Sequence, residues 1–352
     1  MSSIPQEHAI PAPKRSDSVV MGSQDFVSVL IRSIGGELYK LRQRSMAKIL
    51  LLIAIAIMII AFSFFALGTL ATTSFLPDRS CTTDSNGQQH CKPLSQQDIA
   101  KQQATAQRAK ETVSAPLRLP ASLWVSVSVI NTVGTILVII LTGSIVGGEY
   151  SIGTIRMMLT RGPTRTQFFL AKIGTIIICI LITLLLLILV GIIVGALFNL
   201  TTGIAVDFSF FTGGWLFHAI LYVLIAALGL FVYAMIALCL ATLGKTTAAG
   251  LAGALIWWFF EGVLGTVLST IGFFNKGPLG EFLQSIPDYF IGNNIAALRD
   301  HQYLYMINGG TQATSTMNLH DIPDVHAMIV LVIYLVAFIG MAWWAQQQDV
   351  TN

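Results

Sequence analysis

Residues Phe168–Leu197 read FFLAKIGTIIICILITLLLLILVGIIVGAL, and this stretch decides the fold. Its one charged side chain, Lys172, stands near its start. A helix needs about 20 predominantly apolar residues to cross roughly 30 Å of hydrocarbon. A soluble helix of such length would keep a polar face, and this stretch has none. It is therefore a membrane span.

Working outward, five more stretches meet the same requirement: Met46–Leu70, Ala121–Gly147, Gly214–Leu243, Thr247–Gly272 and Ala327–Ala345. Of the 352 residues, 54% are hydrophobic and 11% are charged, and the mean hydropathy is +0.73. Soluble domains carry roughly a quarter of their residues as charges. The expected fold is all-α, a polytopic membrane protein with one six-helix domain over residues 46–346. Outer loops are expected at 71–120 and 273–326, and a short tail at 347–352. No internal repeat of the kind found in inverted-repeat transporters is evident.

Basic residues near span ends set orientation. They gather in the N-terminal arm (Lys14, Arg15, Arg32, Lys40, Arg42, Arg44), between the second and third spans (Arg156, Arg161, Arg165, Lys172) and at Lys245 between the fourth and fifth. The segment Phe273–His326 holds two basic and five acidic residues. Both termini are thus expected in the cytoplasm of a multi-pass protein of the plasma membrane. The long loop after the first span has six basic and four acidic residues, but charges far from span ends weigh little. No cleavable signal sequence is evident, because the first apolar block is long enough to span.

Residues 1–22 are rich in Pro and Ser and predict a disordered tail. Residues 23–45 differ. Val27, Leu30, Ile31, Ile34, Leu38 and Leu41 recur at helical spacing, with Ser28, Arg32, Lys40 and Arg44 on the other side. This predicts an amphipathic helix lying on the inner leaflet, with a possible weak point at Gly35–Gly36. In the first outer loop, Cys81 and Cys91 flank a turn at Asp84–Gly87, and Leu94–Ser114 reads as a polar helix. A disulfide between the two cysteines is permitted on the outer face, with free thiols the alternative. Phe282–Leu298 reads as a short helix dipping into the outer leaflet.

The most informative polar stretch is Gly147–Lys172, GGEYSIGTIRMMLTRGPTRTQFFLAK. Glu149–Thr160 predicts a short helix, Gly162–Pro163 ends it, and Thr164 with Gln167 forms a capping box for the helix that follows. Arg161 and Arg165 flank the break. This segment resembles the coupling region of ABC exporter permeases of the ABC-2 type. The elements carrying the resemblance are Gly148–Glu149, Gly153–Thr154, Arg156, Leu159, Arg165 and Lys172, in that order. The resemblance implies a cytoplasmic coupling helix pressed against a separate ATPase subunit, which would bind ATP and Mg. It also implies a second permease copy, identical or related, and outward movement of a hydrophobic or amphipathic compound such as a peptide antibiotic, drug or lipid. The 71–120 loop is longer than in many short relatives.

No cofactor, metal or nucleic-acid partner is expected for this chain itself, and no catalytic site. Gly244-Lys245-Thr246 resembles the end of a phosphate-binding loop, but Cys239 stands where the first Gly is required. The run from His320 to His326 lacks zinc-site spacing. Polar residues inside spans are functional candidates, and here they are Asn131, His218 and Glu261. Glu261 lies about 24 Å along its span from Lys245 and is a candidate for the transport path, pairing with Asn131 or bracing structure. Two further function classes stay open: an ion- or proton-coupled secondary transporter using Glu261, and a membrane scaffold or sensor.

Overall fold

The computed structural model describes residues 26–74, 79–83, 89–93, 96–152, 164–202, 208–275, 277–308 and 322–348. Among the described residues, six helices are long and apolar enough to cross a membrane, at Ser45–Ala71, Ala121–Ser151, Arg165–Leu200, Gly213–Gly244, Thr247–Phe274 and Asp324–Gln348. The chain is a multi-pass membrane protein, and each span falls where hydropathy placed it.

Helix α1 (Phe26–Gln43) runs unbroken through Gly35–Gly36 and leads through Arg44 into α2 (Ser45–Ser74). A two-stranded hairpin follows, β1 (Arg79–Thr83) and β2 (Gln89–Pro93), and these are the only strands among the described residues. The strands pair antiparallel with Cys81 directly opposite Cys91. The turn expected at Asp84–Gly87 lies outside the described residues. Helix α3 (Gln96–Ser114) is the polar helix expected there, and it packs back on α2.

The second span has a seam. Helix α4 (Ala121–Val129) passes through a π-helical turn, Ile130–Gly134, into α5 (Thr135–Ile152). Helix α5 continues past Gly147–Gly148 and through Glu149, so the short helix expected to start at Glu149 is, up to Ile152, the last turn of the span. Nothing in that turn breaks a helix, and the Ser151 hydroxyl donates to the Gly147 carbonyl. After α6 (Arg165–Thr202) comes α7 (Gly213–Gly244), which holds the centre and packs against α5, α8 (Thr247–Phe274) and the later helices.

The helix expected over Phe282–Leu298 is two helices. Helix α9 (Pro278–Ser285) ends in a 3₁₀ turn, Ile286–Tyr289, and α10 (Ile291–Asn308) starts afresh. Pro287 explains the break, since it cannot donate to the preceding turn. Helix α11 (Asp324–Gln348) closes the bundle against α7 and α10.

In lipid, burial of apolar surface gives helices no reason to associate, so close packing at small residues carries the fold. A Cβ on Gly147 would sit 2.4 Å from Thr247 Cα, and one on Gly229 would sit 2.9 Å from Ile295 Cγ2. At these points α5 meets the α7–α8 turn and α10 lies against α7. That turn is tight because Lys245 takes the left-handed conformation (φ 49°) and Thr246 caps α8 by accepting from the Ala249 N–H.

Candidate functional site

Two polar constellations stand out. The first lies where α1, α5 and α6 meet. Lys172 Nζ is 2.5 Å from Glu149 Oε2 and 3.8 Å from Glu37 Oε2, while Lys40 Nζ is 2.7 Å from Glu37 Oε1 and 3.7 Å from Glu149 Oε1. Two carboxylates and two ammonium groups give the quartet a formal charge of zero. The side chains of Lys172, Glu149 and Glu37 are only 5%, 6% and 9% exposed, against 39% for Lys40. Lys172 also sits over the Phe168 ring, 4.7 Å from its centroid. A buried charge without a partner is expensive, so the arrangement holds only because each ion answers another.

The surroundings stiffen it. The face of α1 that packs on α6 brings Ile34 against Gly174, leaving Val27 and Ile31 exposed. Thr164 and Gln167 form the expected capping box: Thr164 N–H donates to Gln167 Oε1 (2.9 Å) and Gln167 N–H to Thr164 Oγ1 (3.3 Å). The Arg165 guanidinium donates to the Gln347 carbonyl at the end of α11 (2.9 Å), where a cation meets the negative end of the helix dipole. Thus Gly148, Glu149 and Arg165 lie at the two rims of an undescribed segment. Gly153, Thr154, Arg156, Leu159 and Arg161, the remaining coupling candidates, lie outside the described residues.

The second constellation is spread along α7, α8 and α10. Glu261 Oε2 accepts from the Tyr233 hydroxyl (3.2 Å) and Oε1 from the Gly292 N–H (2.7 Å). Gly292 is in the first turn of α10, so the carboxylate caps that helix from a neighbouring one and answers its dipole. His218 Nδ1 is 2.7 Å from Gln302 Oε1, and its ring stacks on Tyr305 at 4.8 Å. Trp124 stacks on Tyr303 (5.7 Å), whose phenol is pushed above its ordinary value by burial and by Asp300. Asn131 falls in the π-turn, and its Nδ2 is buried with no hydrogen-bond partner among the described residues, so it is not bonded to Glu261.

Other sequence candidates have ordinary partners. His301 Nδ1 pairs with Asp324 (2.6 Å), and His326 Nε2 donates to the Asp288 carbonyl (3.2 Å). His320 and Asp321 lie outside the described residues, and among the described residues no three His, Cys, Asp or Glu side chains form a metal-binding group. Glu37 was not singled out in the sequence. The available signal was an acid on the same helical stripe as Ile34 and Leu41, where an apolar residue is the rule.

A family model described as "Protein of unknown function (DUF2705)" matches residues 118–350. The match covers well over half of the chain. The chain belongs to this family. A search of curated proteins finds no match.

The DUF2705 match runs from just before α4 to the end of α11, and it contains Glu149, Lys172, Asn131, His218 and Glu261. Helices α1 and α2, the hairpin and the whole of α3 precede it. Glu37 and Lys40 therefore join the family region from outside, adding a second carboxylate–ammonium pair to the one formed by Glu149 and Lys172.

Proposed function

We propose that this chain is the permease subunit of an ATP-driven exporter of the ABC-2 type, working with a separate ATPase and a second permease copy. The observation carrying this reading is the Glu149–Lys172 ion pair, which ties together the two ends of the segment that resembles a coupling region. An element that receives force from an ATPase must be held stiffly at both ends, or the motion is absorbed locally. Here one rim is locked by the ion quartet and by Gly147 against the α7–α8 turn, and the other by the capping box and the Arg165 contact with α11. In this reading α1 lies along the inner leaflet with Val27 and Ile31 in lipid, and both termini are cytoplasmic. Cys81 and Cys91, paired opposite each other, form a disulfide in the outer loop. The cargo is a hydrophobic or amphipathic compound.

The Glu261 carboxylate serves in this reading as a brace between helices, so we assign it no proton-carrying role. Co-expression with candidate ABC ATPase subunits from the same genome tests the proposal. The two should purify as one complex from detergent, and repeated failure to associate with any such ATPase would end the reading.

A further inference from the structure

A groove runs lengthwise between α2, α5, α6 and α7 within the spanning region, bounded by Ala47 and Ile145 at one end and by Ile130 and Leu187 at the other. Thr142, Cys179 and Thr183 are the only lining residues with a polar side-chain atom, and the rest are aliphatic or Gly. Such walls offer a polar solute nothing. They suit a flexible hydrocarbon chain, and the α2 wall carries the small residues Ala47 and Ala54.

The dimensions agree with that occupant. The α6 wall from Ile176 to Leu187 is roughly 16 Å long, and the wall from Ile130 in the π-turn to Ile145 in α5 roughly 22 Å, at the helical rise per residue. One leaflet of the hydrocarbon core is about 15 Å deep. Both walls are thus long enough for one acyl chain in one leaflet.

One end is marked by charge. Arg44 precedes α2 one turn before Ala47, and its guanidinium donates to the Ser144 carbonyl (3.4 Å), next to Ile145. Lys48 is exposed beside Ala47. Among the described residues no carboxylate pairs with either cation. The neighbouring Glu37/Lys40/Glu149/Lys172 quartet is neutral and does not answer them.

We propose that this groove holds one acyl chain of a membrane phospholipid whose anionic phosphate headgroup rests at Arg44 and Lys48. The site does not depend on the transport reading, and it would stand if that reading failed.

Native mass spectrometry of the full chain in detergent, titrated separately with phosphatidylglycerol and phosphatidylcholine, tests it. The wild type should retain phosphatidylglycerol preferentially. The double variant Arg44→Gln/Lys48→Gln should lose that preference, weakening phosphatidylglycerol retention by up to roughly thirtyfold. Ala54→Trp, which fills the groove, should reduce retention of both lipids. Ile256→Trp, on the exposed face of α8, should change neither. Equal binding of phosphatidylglycerol by wild type and the double variant would overturn the headgroup assignment. Equal loss in Ile256→Trp and Ala54→Trp would show general lipid coating and overturn the groove. The double variant alters only residues outside the close-packed core, so the test survives if Ala54→Trp fails to fold.

Discussion

The Glu149 carboxylate lies 2.5 Å from Lys172 Nζ, joining the last turn of α5 to the second turn of α6 across the segment between them. Both groups are nearly inaccessible, and Glu37 and Lys40 from α1 balance them. The consequence is directional: loss of either partner leaves an ion buried with incomplete compensation, whereas exchange of the two keeps the quartet neutral.

Glu149→Gln should therefore lower stability in detergent by about 3 kcal/mol, the scale for breaking a buried pair. Lys40→Gln, whose side chain is much more exposed, should cost less than about 1 kcal/mol. Glu149→Lys combined with Lys172→Glu should recover a large part of the loss. Apparent melting temperatures of the four proteins check this, and equal melting of Glu149→Gln and Lys40→Gln would refute the buried quartet.

Two adjacent glycines should behave oppositely. Gly147→Ala places a methyl against the backbone of Thr247 and should cost about 1–3 kcal/mol through forced separation of α5 from the turn. Gly148 has open space around it, so Gly148→Ala should be neutral or stabilise by up to about 1 kcal/mol through helix propensity. Thermal unfolding of the two variants side by side decides it.

Glu261→Gln retains an acceptor for the Gly292 N–H and should change stability little. Glu261→Ala removes both acceptors and should cost about 1–3 kcal/mol. Hydrogen exchange at the start of α10 gives the site-specific readout, with faster exchange around Gly292 and Asn293 in the Ala variant alone. Unchanged exchange there would show that Glu261 does not cap α10.

The cysteines give a simple count. With Cys81 opposite Cys91, alkylation of the denatured, unreduced chain should modify two of the four cysteines, Cys179 and Cys239. Four labels would show that the hairpin pair is open.

Much of the fold was legible because spans are written in composition. The Phe168–Leu197 run and its five counterparts leave no alternative to helix in lipid, and the Thr164–Gln167 box is a local signal that acts over one turn. Features set by neighbours were less legible. The π-turn at Ile130–Gly134 has no sequence marker, and Gly147–Gly148 suggested an end where α5 continues. The site was half readable. Glu149 and Lys172 stood in a recognisable pattern, but their bond depends on α5 meeting α6, and the contribution of Glu37 on α1 docking against α6. Glu261 in isolation suggested a transport path, yet its partners include a backbone amide on α10 that no local pattern could supply.

The most direct measurement of the central claim is ATP turnover by the complex in vesicles, with Gly153–Pro163 either native or replaced by a Gly/Ser linker of equal length. The expected result is that turnover depends on the native chain and falls to the level of the ATPase alone with the linker, while the chain still inserts. Unchanged turnover with the linker would contradict a coupling role for the segment that Glu149 and Lys172 hold.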